Sequence, residues 1–88
     1  MEYPIYIKNN KYRYHMILNE NELCRVENFT SNKGIDWTHN HFMVETQLLE
    51  LEAEENQLAT ESEYLKFYKE TFNLINEKTF EVENESPR

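Results

Sequence analysis

Apolar and polar positions alternate through YPIYIKNNKYRYHMIL, residues 3–18, with Tyr and Ile recurring on both sides of Asn9-Asn10. That two-residue period, with an Asn pair that tolerates the positive φ of a tight turn, predicts a β-hairpin. A two-residue loop would set Ile7 opposite Tyr12, Ile5 opposite Tyr14 and Tyr3 opposite Met16 on a core face. Tyr6 opposite Arg13 and Pro4 opposite His15 would form the outer face. Pro4 cannot donate a ladder hydrogen bond, which puts the first strand at a sheet edge.

The polar NENE at 19–22 reads as a turn, LCRVENF at 23–29 as a third strand, and TSNKG at 30–34 as a loop. From residue 41 the pattern changes character. Phe42, Val44 and Thr46 alternate like a strand, whereas Val44, Leu48, Leu51 and Leu58 line one face of a helix. The reading preferred here is a strand over 41–51, with a helix as the alternative. Thr60 and Glu63 form a T-x-x-E capping box, and Tyr64, Leu65, Tyr68, Phe72 and Ile75 follow as an apolar stripe. Beyond the helix, Thr79–Val82 is read as a short added strand or as part of an acidic tail. The prediction is an α+β fold: a small antiparallel meander of three or four strands packed against one C-terminal helix. It forms one domain over 1–80, with a flexible tail over 81–88.

With 88 residues the core must be small, and twelve aromatic side chains (six Tyr, five Phe, one Trp) supply much of it. Cys24 is alone, which excludes an intrachain disulfide and points to a reducing compartment. MEYPIYIKNNKY lacks the basic stretch and apolar run of a leader, and no run is long enough to cross a membrane. Both features suggest a cytoplasmic location. The net charge of -8 is unevenly spread: residues 1–41 balance five bases with five acids, whereas residues 42–88 hold four bases against twelve Glu. No base falls between Lys33 and Lys66.

The rarest residues gather in GIDWTHNHF, 34–42. On a strand His39 and His41 would point to the same side, and Asp36 could complete a set of three nitrogen and oxygen ligands for zinc. No His-Glu-x-x-His or Cys-x-x-Cys accompanies them, so the preferred reading is a turn permitted by Gly34 with Trp37 as a packing anchor. A single Gly cannot build a phosphate cradle, and Cys24 has no local positive charge to activate it. No cofactor and no enzymatic activity are predicted.

Two surfaces point to binding. Seven carboxylates, Glu45, Glu50, Glu52, Glu54, Glu55, Glu61 and Glu63, follow one another without an intervening base. On a strand, alternate residues would stand about 6.8 Å apart, near the phosphate spacing of a nucleic-acid strand, and would suit a partner's Lys/Arg groove. The alternative is an aromatic-basic hairpin face, Tyr6, Lys8, Lys11, Arg13 and His15, which could stack against and neutralise single-stranded RNA or DNA. A charge of -8 argues against direct nucleic-acid binding.

The segment ETQLLELEAEENQLATESE, in a small acidic single domain, resembles in kind the accessory proteins of phages and mobile elements, among them anti-CRISPR and other anti-defence inhibitors. That resemblance implies a non-enzymatic inhibitor that occupies a nucleic-acid-handling protein in the host cytoplasm through its basic surface. An exposed sheet edge or aromatic face would also allow self-association.

Overall fold

The computed structural model describes residues 2–85, with side chains up to position 76. The chain runs β1 (Ile5–Asn10), β2 (Arg13–Asn19), β3 (Glu22–Asn28), β4 (Lys33–His39), α1 (His41–Glu52), β5 (Gln57–Leu58) and α2 (Glu61–Glu85). The five strands make one antiparallel sheet in the order β4-β3-β2-β1-β5. The α+β class and the leading meander are as predicted. The sheet has one more strand than expected, and there are two helices, one on each face.

The first hairpin forms, but three residues out of the predicted register. Ile5 faces Ile17, Tyr6 faces Met16, Ile7 faces His15 and Lys8 faces Tyr14. Lys11 and Tyr12 make the turn, because the Asn10 side-chain oxygen accepts the Tyr12 N–H at 2.7 Å. The second hairpin repeats the device, with Asn19 accepting from the Asn21 N–H at 2.8 Å. An Asn at the strand end therefore closes each turn, and in the second Asn21 also sits within it. Nor is β1 an edge strand along its whole length, since β5 pairs with Ile7 and Lys8.

This register divides the sheet into two unlike faces. The first carries Ile5, Ile7, Ile17 and Leu23, which pack on Val44 of α1, with Met43, Leu48 and Leu51 closing the edges. The second carries Tyr14, Cys24 and Val26, which pack on Tyr64 of α2 with Phe67 and Tyr68. Each fully buried aliphatic side chain contributes about 1.5–3 kcal/mol, so neither layer is dispensable in so small a domain.

Residues 41–52 are helical, which overturns the strand reading. Asn40 caps α1, its side chain accepting the Phe42 and Met43 N–H groups at 2.9 and 3.2 Å. Of the residues that suggested a strand, Val44 is buried while Phe42 is 71% exposed. The T-x-x-E box on α2 forms as predicted: Thr60 N–H donates to Glu63 at 3.2 Å and Glu63 N–H donates to Thr60 at 3.1 Å. Of the predicted stripe, Tyr64 is buried and Tyr68 and Ile75 are half-buried, whereas Leu65 and Phe72 are about half exposed; buried Thr71 and half-buried Phe67 complete the inner face of α2. Residues 79–85 continue α2 and do not form a strand, while 86–88 lie outside the described residues. No helix among the described residues is long and apolar enough to cross a membrane.

Candidate functional site: an acidic helix end beside an apolar cleft

The carboxylates lie on a helix and a turn, so the evenly spaced strand row does not exist. Glu45, Glu50 and Glu52 are on α1, Glu54 and Glu55 in the turn that follows, and Glu61 and Glu63 in the first turn of α2. Glu45 stands apart, more than a helical turn before Glu50. Glu61 and Glu63 sit where the positive end of a helix dipole compensates them. The other four meet the opposite condition. The last turn of α1 contains no base, so the negative helix end and Glu50, Glu52, Glu54 and Glu55 concentrate charge of one sign.

The backbone at this helix end carries a further cost. Glu54 N–H donates to Leu51 O at 3.2 Å and Glu55 N–H to Glu50 O at 3.1 Å, the paired bonds of a Schellman stop. That stop needs a left-handed residue, normally Gly, and here Glu54 takes it with φ 65°. Glu52, Glu54 and Glu55 are exposed, and no ion pair among the described residues involves them. Glu50 alone of the four is restrained, accepting from Asn56 at 3.1 Å.

A buried polar network anchors this end to the sheet. The bulge between Lys8 and Asn10 turns Asn9 inward, where its amide nitrogen donates to Asn56 at 2.6 Å and Gln47 at 3.2 Å. The Asn9 oxygen meets His15 Nδ1, so His15 donates from Nδ1. His15 is 2% exposed. Burial, and then the Arg13 and Arg25 charges, lower its pKa to about 4. It therefore stays neutral near pH 7.

Beside the acidic turn, Leu51 of α1, Leu58 and Ala59 after the turn, and Pro4, Ile5 and Tyr6 at the start of β1 line a cleft of about 340 Å³ with Glu2 at its rim. Leu58 is 69% exposed. Burial and then the Glu61 carboxylate raise the Tyr6 phenol's pKa. The chain matches no known family model, curated protein or solved structure.

The other predicted sites come apart. Tyr6 pairs with Met16 and makes a tilted ring contact with Tyr64 at 5.3 Å on the second face, whereas the ladder puts Arg13 and His15 on the first. Arg13 is also neutralised: Glu27, 7% exposed, lies 3.3 Å from it and 2.8 Å from Arg25, and Arg25 reaches Asp36 at 3.5 Å. Lys11 lies over Tyr12 and Arg13 over Phe29, so Lys8, Lys11, Arg13, Tyr6 and His15 do not share one basic surface.

GIDWTHNHF is a strand and a helix start, not a turn. Gly34 has no positive φ, and Trp37 is 53% exposed and so is no anchor. Asp36 faces Arg25, His39 lies 3.6 Å from Glu22, and His41 Nδ1 is 2.9 Å from Glu20 O. No group of metal-ligating residues gathers among the described residues.

Proposed function

We propose that this protein is a non-enzymatic binding protein that docks its acidic end, Glu50, Glu52, Glu54 and Glu55 at the close of α1, onto a cationic surface of a partner protein. The observation that carries this reading is a helix end at which charge and backbone both run against stability: four carboxylates at a negative helix terminus, one of them in a left-handed conformation. A locally unfavourable arrangement of this kind is retained where a partner relieves it. The cleft lined by Leu51, Leu58 and Tyr6 supplies an apolar seat for a side chain next to the charges, as interface anchors require. Basic surfaces that take four closely spaced carboxylates are those that otherwise hold phosphates. An inhibitor that covers the nucleic-acid groove of a host or defence protein, in the manner of phage accessory proteins, is the fuller form of the proposal.

Calorimetry with an oligo-arginine peptide tests it. The triple variant Glu52→Gln, Glu54→Gln, Glu55→Gln should weaken binding about tenfold or more. The charge-matched variant Glu20→Gln, Glu45→Gln, Glu70→Gln, at exposed positions outside the cleft, should weaken it much less. Equal loss in the two triples would mean that only net charge matters, and would overturn the proposal.

A further inference from the structure

β4 ends the sheet, and among the described residues no strand lies beyond it. The ladder shows which of its backbone groups are unpaired. Phe29 and Asn32 exchange N–H···O bonds at 2.9 and 3.2 Å, and Asn40 N–H donates to Asn21 O at 2.8 Å. The register between them is unbroken, with Leu23 facing Thr38 and Arg25 facing Asp36. Even-numbered residues of β4 therefore bond to β3, and Lys33, Ile35, Trp37 and His39 direct N–H and C=O outward.

Edge strands of soluble proteins are usually blunted by Pro, bulges, inward charges or covering loops. β4 has no Pro and no bulge, and it carries Trp37 at 53% exposure. Its two charged residues have opposite signs, Lys33 and Asp36, and Asp36 is paired with Arg25. The acidic end lies beside β5, at the opposite edge of the sheet. The acidic turn thus lies away from the long open edge.

We infer that this edge pairs with the same edge of a second copy, antiparallel about a two-fold axis through Ile35, giving one continuous sheet. Outward-facing residues must meet outward-facing residues, which restricts the axis to a few positions. An axis at Asp36 would oppose two Asp36 carboxylates. An axis at Ile35 sets Ile35 against Ile35, Gly34 against Asp36, and Lys33 against the second copy's Trp37, a cation–aromatic pair on each side. A matched symmetric edge of this kind fits a second copy better than an unrelated strand. The dimer would carry an acidic end at each far edge. The inference does not depend on what those ends bind.

Sedimentation and amide exchange test it together. At about 100 µM the wild-type chain should sediment at twice the monomer mass. The Lys33, Ile35 and Trp37 amides should exchange more slowly as concentration rises. Trp37→Lys, at an exposed position, would oppose two lysines and should raise the dimer dissociation constant about tenfold or more. Adding Lys33→Glu to Trp37→Lys should restore the dimer by pairing opposite charges. A wild-type monomer at that concentration, or a Trp37→Lys variant that dimerises like the wild type, would overturn the inference. Failure of the double variant to recover would overturn the Ile35 register.

Discussion

Replacing Glu54 by Gly should stabilise the fold. Glu54 closes α1 with φ 65°, where an L-residue pays about 1–2 kcal/mol because its Cβ crowds the following carbonyl. Gly escapes that cost but loses about 0.5–1 kcal/mol more conformational entropy on folding. The backbone gain is then on the order of 0.5–1 kcal/mol. Removing a carboxylate from a helix C-terminus that lacks any base adds about 0.3–1 kcal/mol at low salt. Together the change is roughly 1–2 kcal/mol, and in a domain of this size each kcal/mol moves Tm by about 4–8 °C. Thermal and urea unfolding of Glu54→Gly, Glu54→Ala and Glu54→Gln separate the parts. Gln reports the charge, with a gain that shrinks in salt, and the Gly-minus-Ala difference reports the φ. If Gly is no more stable than Ala, Glu54 is not strained and the argument fails. If Glu54→Gly is more stable yet binds oligo-arginine more weakly, stability and docking are in conflict at this residue.

Other consequences follow from the caps and the buried polar groups. His15 is held at a pKa of about 4 against 6.5 when unfolded, so its contribution is complete above pH 6.5 and lost as pH falls towards 4, a total of about 3 kcal/mol. Urea unfolding at pH 7 and pH 4.5 should show that loss, and His15→Gln should remove much of the difference; an unchanged slope would mean His15 is not buried neutral. Thr71 is fully buried and its hydroxyl has no hydrogen-bond partner among the described residues, so Thr71→Val should stabilise the fold by about 1 kcal/mol, where destabilisation would reveal an unrecognised partner. Asn40→Ala should cost about 1 kcal/mol in chemical denaturation, with α1 amides exchanging faster than those of α2, because it removes both bonds at the start of α1.

The parts of the fold legible in sequence were those set by local chemistry. The T-x-x-E box at Thr60 and Glu63 marked the start of α2, and the Tyr/Ile alternation marked the first hairpin. The hairpin register was not legible, because Asn serves a turn either from within it or, as Asn10 and Asn19 do here, from the strand before it. A register shift of an odd number of residues exchanges the faces, so Tyr6 and Arg13, which a two-residue Asn9-Asn10 loop would set side by side, lie on opposite sides. α1 was obscured because its apolar residues surround the helix, with Val44 buried and Phe42 and Leu49 exposed. The available signal was Asn40, a good cap followed by twelve residues without Gly or Pro. β4 is not legible because Gly34 reads as a turn former and its His and Asp residues as candidate ligands, which leaves only Ile35 and Trp37 to alternate as in a strand. The acidic residues were visible from charge alone. That four of them crowd a negative helix end could be seen only once the helix was known.

The docking surface we propose is the acidic end of α1, as opposed to acidity at large. An amide-resolved NMR titration with an oligo-arginine peptide tests it most directly. Shifts should concentrate over residues 50–59 and the cleft residues Ile5, Tyr6 and Leu58, and weaken as salt rises. Shifts scattered over Glu20, Glu22, Glu45 and Glu70 in proportion to exposed charge, with none larger at the end of α1, would contradict it.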